Sequence, residues 1–322
     1  MKSKTSNTTA WKIFSTVVLT AVFGLGVLSR GASQPKQNAA SSMHKSFATP
    51  EQAAHALIDA AEKFDVPALL EILGPDGRDL VDSEDSVEDK ARATAFAALA
   101  REKTSIKISS KHADRAELSV GVVDWPLPIP IVKRGATWTY DTKAGREEIL
   151  LRRIGANELD TIQICRGFVE AQHEYALEKH DDNVAQYAQR IISTPGKREG
   201  LAWKNDDGSW GGPIGEKVAE ALEQGYNTAQ APYHGYYFKI LKGQGPAAPL
   251  GQMDFVVNGA MIGGFALAAA PAQYRITGVK TFLVGHDGIV YEKDFGPNTT
   301  AAFQNIDRYN PDKTWHRTDD EW

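Results

Sequence analysis

Cysteine is almost absent from this sequence, since Cys165 is the one cysteine among 322 residues. One cysteine cannot form an internal disulfide, which excludes the small disulfide-stapled folds and leaves the hydrophobic core to stabilise the chain. Cys165 lies in an apolar-periodic segment, residues 162–168. That position favours a buried small hydrophobic side chain over a reactive nucleophile.

The sequence also lacks an excess of positive charge. It has 36 basic and 41 acidic residues, for a formal net charge of −5. Four of the basic residues and none of the acidic ones fall within the first 33 residues, so the rest of the chain carries 32 against 41, or −9. Nucleic-acid binding needs a basic surface that contacts phosphates, so we expect no nucleic-acid partner.

Standard catalytic and cofactor signatures are missing as well. The sequence has no G-x-S-x-G elbow, no P-loop, no HExxH and no dinucleotide-binding fingerprint. His173 and His180 stand seven residues apart, about 10 Å along a helix, which is too far for the converging ligands of a zinc site. We therefore expect no metal and no cofactor, and the catalytic residues of any enzyme activity are unknown.

One long apolar run is present, at residues 13–28 near the N-terminus. Three lysines precede this run and small residues follow it at 31–33. A basic segment, a short apolar segment and small residues together predict a signal peptide over residues 1–33. The run is slightly shorter than the roughly 17–25 residues that span a bilayer, and a retained membrane anchor is the alternative.

Export without disulfides is typical of a bacterial envelope rather than of an animal secretory pathway. We therefore expect the protein in the periplasm of a Gram-negative bacterium, or anchored in the inner membrane if the signal segment is retained. The expected partner is an envelope component or a small ligand. The membrane would be contacted only through the N-terminal segment, and only if that segment stays uncleaved.

The first half of the chain changes from helical to strand periodicity. Residues 34–46 are small and polar, which predicts a flexible leader. Thr49, Pro50 and Gln52 then form a helix start, with Thr49 as the N-cap and Gln52 closing a capping box. Helical spacing continues to about residue 100, and after it apolar and polar residues alternate as they do in strands.

Three alternating prolines punctuate residues 125–132, which read WPLPIPIV. Because proline cannot donate a ladder hydrogen bond, this stretch predicts an edge strand or an extended crossing. Helices followed by an antiparallel meander resemble the nuclear-transport-factor-two-like cone, in which helices wrap a curved antiparallel sheet.

The second half begins with helical periodicity and ends with strands. Residues 147–154 predict one helix, and Asn157 would cap a second helix that runs to about residue 178. From residue 233 the pattern favours strands, and Asp287-Gly288 between two alternating apolar runs predicts a hairpin.

The fold class is therefore α+β, with N-terminal helices plus a curved antiparallel sheet, central helices and a C-terminal antiparallel sheet. The predicted organisation has six parts. They are the signal peptide or membrane anchor (1–33), the flexible leader (34–46), a helical and antiparallel-sheet domain (47–143), a helical connector (144–224), an antiparallel-sheet domain (225–310) and a tail (311–322).

Several sequence blocks resemble a known family. They include FATPEQAAHALIDAA from residue 47 and TGVKTFLVGHDGIVYEKDFGPNT from residue 277. These blocks, in this order, resemble an exported bacterial family catalogued as a domain of unknown function, numbered twenty-nine fifty. The resemblance spans roughly residues 47–312 and implies an exported envelope protein of mainly Gram-negative bacteria. It brings no catalytic residue with it.

The C-terminal part is also weakly similar to the globular heads of pilins and pseudopilins, through the glycines and aromatics around Thr277-Gly278 and Asp287-Gly288. Those families place their apolar assembly helix directly before the head. Here the apolar run at 13–28 lies a whole domain upstream, which departs from the pilin pattern.

Two sets of residues are candidate ligand-binding sites. The densest aromatic cluster, residues 233–238, contains His234 as a candidate acid or base and Tyr236 beside it. Trp125, Arg146 and Glu147 form the second set, near the expected mouth of the cone, where Arg146 could bind a carboxylate through two hydrogen bonds or pair with a nearby acid.

Three functions remain open from the sequence. The leading hypothesis is a non-enzymatic binding or interaction module that acts on an envelope partner. The second is a hydrolase-like enzyme with a pocket near His234 or Arg146. The third is a pilus-like assembly component, which an exposed apolar stripe on the helix at 157–178 would favour.

Overall fold

The computed structural model of the protein describes residues 44–81, 86–180, 184–223 and 232–318. Helices and mainly antiparallel sheets form the secondary structure of these residues, which confirms the α+β class, and only β6 and β7 among the described strands pair in parallel. The chain divides into two compact units, with the boundary between Arg152 and Arg153. The predicted signal peptide and most of the leader lie outside the described residues. Among those described, no helix combines the length and apolar character that a membrane span requires.

Helices form the first part of unit 1. Its α-helices are α1 (Pro50–Lys63), α2 (Val66–Leu73), α3 (Arg78–Val81) and α4 (Ser86–Glu102). The predicted start of α1 is confirmed, because Thr49 Oγ1 accepts a hydrogen bond from the Gln52 backbone N–H at 3.2 Å. Gln52 Oε1 in turn accepts one from Ala48 N–H at 3.2 Å, which completes the capping box.

An antiparallel sheet follows the helices of unit 1. Its strands are β1 (Thr104–Ile108), β2 (Arg115–Val120), β3 (Trp125–Pro126), β4 (Ile131–Arg134) and β5 (Thr137–Tyr140). The order is β1-β2-β4-β5, and β3 pairs with β2 as a two-residue edge strand, as the prolines predict. The predicted succession of helices and antiparallel strands is confirmed, whereas the cone itself is not.

The core of unit 1 lies between its helices and its sheet. Leu118, Ile131 and Tyr140 from the strands are fully buried with Ala53 and Ile72 from the helices. The Tyr140 hydroxyl donates to the Ala53 carbonyl at 3.3 Å, so its one polar group is paired inside the core.

A single helix, α5 (Thr142–Tyr175), runs for 34 residues through the boundary between the units. The prediction that Asn157 starts a second helix is therefore wrong. No proline interrupts residues 154–157, and the glycine at 155 costs a helix only about 1 kcal/mol relative to alanine. Asn157 lies inside the helix and uses its side chain elsewhere, as described below.

In its described residues, unit 2 contains the remaining strands and two further α-helices. Its main sheet has the antiparallel order β17-β16-β15-β14-β9. The strands of unit 2 are β6 (Arg190–Ile192), β7 (Gly200–Lys204), β8 (Trp210–Gly211), β9 (Tyr236–Leu241), β10 (Gly243–Gln244), β11 (Met253–Asp254), β12 (Val256–Val257), β13 (Ala260–Met261), β14 (Ala266–Pro271), β15 (Thr281–Gly285), β16 (Val290–Lys293) and β17 (His316–Arg317), and its helices are α6 (Gly215–Glu223) and α7 (Thr299–Gln304).

The C-terminal strand predictions are confirmed for the main sheet. The hairpin at Asp287-Gly288 joins β15 to β16, and Gly288 has a φ of +73°, which a glycine adopts without strain. The predicted tail from residue 311 is wrong for its described part, because β17 pairs with β16. Thr318 N–H also donates to the Val290 carbonyl at 3.0 Å.

The core of unit 2 includes the apolar face of the second half of α5. Ile162, Cys165 and Phe168 are buried there with residues of the main sheet. Cys165 is fully buried, as predicted, and burial raises the pKa of its thiol to about 12. The face that could have formed an exposed assembly stripe is thus part of the core.

Candidate functional site

A two-residue turn places His234 at the surface of unit 2. Tyr233 and Tyr236 exchange backbone hydrogen bonds of 2.8 and 3.0 Å across the turn. His234 and Gly235 between them both have positive φ, 48° and 75°, as in the mirror-image turns that close hairpins. A Cβ on Gly235 would lie 2.7 Å from Asn157 Nδ2 and 2.8 Å from Thr277 Cβ, so only glycine fits this position.

One turn of α5 fastens a neighbouring loop of unit 2. Asn157 Nδ2 donates to the Thr277 carbonyl at 2.8 Å. Glu158 Oε1 accepts from the backbone N–H groups of Val279 at 2.8 Å and Lys280 at 3.0 Å. These partly buried bonds hold the segment that leads into β15. We call Asn157, Glu158 and Asp160 the helix clasp.

Asp160, the third residue of the helix clasp, binds His234. Its Oδ2 lies 2.7 Å from His234 Nδ1. A carboxylate oxygen can only accept, so His234 Nδ1 donates the proton of this bond and Nε2 is the ring nitrogen outside it. The Tyr233 ring stands nearly perpendicular to the imidazole, with centroids 4.4 Å apart. The arrangement fixes the imidazole in the orientation and tautomer that a general base requires.

Tyr236 is close to His234 in sequence but has a different role. Its side chain is fully buried, and its hydroxyl donates to the Lys280 carbonyl at 3.0 Å. Burial, with smaller contributions from charges such as that of Glu158, raises the Tyr236 pKa far above its usual range. A Cβ on Gly278 would lie only 2.1 Å from this hydroxyl. Tyr236 therefore anchors the loop from inside, while His234 is at the surface.

The second candidate set, in unit 1, does not come together as one site. Arg146 forms a two-point ion pair with Asp79, one of whose bonds measures 2.8 Å, and it also donates to the Asp76 carbonyl at 3.0 Å. The Arg152 guanidinium, not that of Arg146, lies 5.6 Å from the centre of the Trp125 ring. Glu147 is exposed on α5. The structure therefore contains the alternative predicted for Arg146, in which it pairs with a nearby acid.

Unit 2 contains a groove that the sequence did not predict. It has a volume of about 510 Å³ and opens to solvent over β15. We call it the aromatic groove, and its lining residues are Leu283, Phe295, Asn305, Ile306, Asp307, Arg308, Asn310, Asp312 and Trp315. The sequence predicted a tail over residues 311–322, so no binding surface was expected there. The sequence Asp312-x-Thr314 before Trp315 could have indicated an ordered turn. In such turns the aspartate side chain accepts a hydrogen bond from the backbone N–H two residues further on.

Aromatic side chains form one side of the aromatic groove. Phe295 and Trp315 meet edge to face, with ring centroids 5.7 Å apart and an interplanar angle of 76°. Lys293 places its ammonium 4.6 Å from the Phe295 centroid and 5.8 Å from that of Trp315. The same ammonium donates to Thr314 Oγ1 at 2.8 Å, so it is held in place.

The described residues contain no group of three or more His, Cys, Asp and Glu side chains arranged to hold a metal ion. Within that part of the chain, the chemistry on offer is an oriented imidazole at His234 and a mixed aromatic and polar groove around Trp315.

Comparison with known proteins identifies a family. A family model described as "Protein of unknown function (DUF2950)" matches residues 44–318, which confirms the resemblance drawn from the sequence blocks. Neither the curated proteins nor the solved structures gave a significant match.

Proposed function

Because the chain belongs to the DUF2950 family, whose description assigns no activity, we propose a function from the geometry of unit 2. The protein is an exported, non-enzymatic binding module of the bacterial envelope. Its binding surface is the aromatic groove. The pattern of residues 1–33 supports the export part of this proposal.

The observation that carries the proposal is the lining of the aromatic groove. Small-molecule sites are concavities of about 300–1,000 Å³ that combine apolar walls with a few polar groups, and this groove has a volume of about 510 Å³. Phe295 and Trp315 are half-buried, although they line an open surface. Asn310 and Asp312 stand at the same surface.

Backbone hydrogen bonds also hold the segment that lines the groove, which favours binding. Tyr309 N–H donates to the Gly243 carbonyl and Gly245 N–H donates to the Tyr309 carbonyl, both at 2.9 Å. Trp315 N–H donates to the Asp312 carbonyl at 2.9 Å. A surface that is already ordered loses less entropy on binding than a mobile one.

The experiment titrates the mature protein with a solubilised envelope extract from the native host and follows tryptophan fluorescence. Wild type should show saturable binding, and Trp315→Ala should lose it. Trp210→Ala is the matched control, because Trp210 is also half-buried and also carries a cation, Lys204, 5.4 Å from its ring centroid. Equal binding by wild type and Trp315→Ala would refute the groove as the binding surface.

Export is tested separately by fractionating the host and measuring the intact mass of the purified protein. Recovery from the periplasm with loss of about 33 residues supports a cleaved signal peptide. Recovery of the full-length mass in the membrane fraction would instead support the anchor.

A hydrolase is the second candidate function, and the His234–Asp160 pair is the observation that favours it. The carboxylate orients the imidazole so that Nε2 could take a proton from water. The test compares wild type, His234→Gln and Asp160→Asn on esters, amides and glycosides. Turnover that falls at least about a hundredfold in His234→Gln supports the hydrolase, whereas turnover that survives this change excludes His234 as its base.

Pilus-like assembly receives no support from α5. The residues that would form its apolar stripe, Ile162, Cys165 and Phe168, are buried in the core of unit 2. We therefore do not propose an assembly role.

A further inference from the structure

We propose that the ligand of the aromatic groove is a neutral glycan, a chain of sugar units that carry vicinal hydroxyl groups. This inference rests on the proposed binding function and names the chemical class that the groove accepts.

The aromatic pair supplies the first half of the recognition. A sugar ring presents hydroxyls around its edge and C–H groups on its faces. Such C–H groups pack favourably on the electron-rich face of an aromatic ring. Phe295 and Trp315 both line the groove, so this side of it presents aromatic surface to a ligand.

Amide and carboxylate groups supply the second half. Asn310 uses its Oδ1 to accept from Ala247 N–H at 2.8 Å, and within the described residues its Nδ2 has no partner. Asp312 Oδ1 accepts hydrogen bonds from the backbone N–H and from the Oγ1 hydroxyl of Thr314. Asp312 Oδ2 remains as a further acceptor. A sugar hydroxyl both donates and accepts, so a donor amide and an acceptor carboxylate in the same lining match its chemistry.

The charges of the groove favour a neutral ligand over an anion. Arg308 is the cation in the lining, and its guanidinium is already engaged. It binds Asp254 Oδ1 at 2.5 Å and the carbonyls of Gln244 and Met253 at 3.2 and 3.1 Å. A phosphate or an acidic sugar would have to compete with these bonds and would also meet the carboxylates of Asp307 and Asp312.

A cationic ligand is disfavoured by Lys293. The ammonium of this residue already holds the position over Phe295 and Trp315 that a ligand cation would take. An incoming ammonium would be repelled by this charge. The carboxylates of Asp307 and Asp312 disfavour an anion and the ammonium of Lys293 disfavours a cation, so a polar but uncharged ligand fits the groove best.

The test uses the solubilised envelope extract of the host as the probe, divided into three portions. One portion is untreated, one is oxidised with mild periodate, which cleaves vicinal diols of sugars, and one is digested with proteinase K. Wild type should bind the untreated and protease-treated portions equally, and binding should fall at least about tenfold after periodate. Binding that survives periodate but is lost after protease would overturn the glycan and indicate a protein partner.

Variants connect the binding to the groove. Trp315→Ala should lower the affinity for the untreated extract at least about tenfold, the scale of a central aromatic contact. Asn310→Asp keeps the acceptor for Ala247 N–H but removes the free amide donor, so it should weaken binding while preserving the loop. Trp210→Ala should bind as wild type does. Unchanged binding by both Trp315→Ala and Asn310→Asp would overturn the inference. If Trp315→Ala folds poorly, Asn310→Asp decides, and unchanged binding by that variant alone would overturn it.

The two proposals fail in different ways. Binding that depends on Trp315 but resists periodate removes the glycan and keeps the binding module. Absence of any Trp315-dependent binding removes both.

Discussion

Asp160 Oδ2 lies 2.7 Å from His234 Nδ1, and this pair joins helix α5 to a turn 74 residues further along the chain. Both side chains are substantially exposed, at 52% and 34%. Exposed ion pairs contribute only about 0–1 kcal/mol to stability. The pair therefore orients the imidazole, while the partly buried Glu158 has the larger part in holding the neighbouring loop.

Removing Glu158 should destabilise unit 2. Glu158→Ala leaves the backbone N–H groups of Val279 and Lys280 without their acceptor, which should lower the free energy of unfolding by about 1–3 kcal/mol. Urea unfolding measures the change. Glu170→Ala, an exposed position on the same helix, should stay within about 0.5 kcal/mol of wild type. Equal effects of the two changes would show that the helix clasp is not stabilising.

Gly235 should tolerate alanine less well than Gly135 does. Both glycines have positive φ, 75° and 64°, so both variants meet the left-handed penalty of about 1–2 kcal/mol. A Cβ at 135 meets nothing within 4 Å, whereas a Cβ at 235 meets Asn157 and Thr277. Gly235→Ala should therefore lower the free energy of unfolding by a further 1–3 kcal/mol, roughly the cost of overpacking.

Thermal and urea unfolding of both variants test this prediction. A smaller loss in Gly235→Ala than in Gly135→Ala would show that the contacts between the turn and the helix clasp are loose.

His44 should make stability fall in mild acid. Burial lowers its pKa below the usual 6.5, and its Nε2 is buried without a partner among the described residues. The folded state therefore disfavours the proton that the unfolded state accepts. The stabilisation is complete above about pH 6.5 and is lost as the pH falls through and below that value.

The measurement compares the free energy of unfolding of wild type and His44→Gln between pH 5 and 8. The free energy of unfolding should rise more steeply with pH in wild type than in His44→Gln. The exposed control His55→Gln should keep the wild-type slope. Identical slopes for wild type and His44→Gln would contradict the role of His44.

Cys165 should be inert in the native protein. Its thiol is fully buried, and burial raises its pKa to about 12, so almost no thiolate is present or reachable near neutral pH. Iodoacetamide should leave the folded protein unmodified under conditions that label the urea-unfolded chain completely. Intact mass reads out the result, and rapid labelling of the folded protein would show that the core of unit 2 opens.

Local signals in the sequence were sufficient for much of the fold. Thr49 and Gln52 identify a helix start because both partners lie within four residues, and Asp287-Gly288 identifies a hairpin for the same reason. The interior position of Asn157 could not be predicted, because its partner Thr277 lies 120 residues away. Without knowledge of this contact, an asparagine at this position predicts a helix N-cap.

The candidate site shows the same limit. His234 was identifiable as a titratable residue in an aromatic cluster, but its carboxylate partner on α5 was not. The aromatic groove depends on pairing of β17 with β16 and of Tyr309 with Gly243, both long-range. Composition alone made residues 311–318 resemble a tail.

The most direct test of the binding proposal observes the tryptophan indoles themselves. The mature protein is labelled with ¹⁵N-tryptophan, each signal is assigned by Trp→Phe variants, and the envelope extract is added. Binding in the aromatic groove should shift the Trp315 indole signal and leave those of Trp125, Trp138, Trp203 and Trp210 in place. Shifts at any of these four with none at Trp315, or no shift at all, would contradict binding in the aromatic groove.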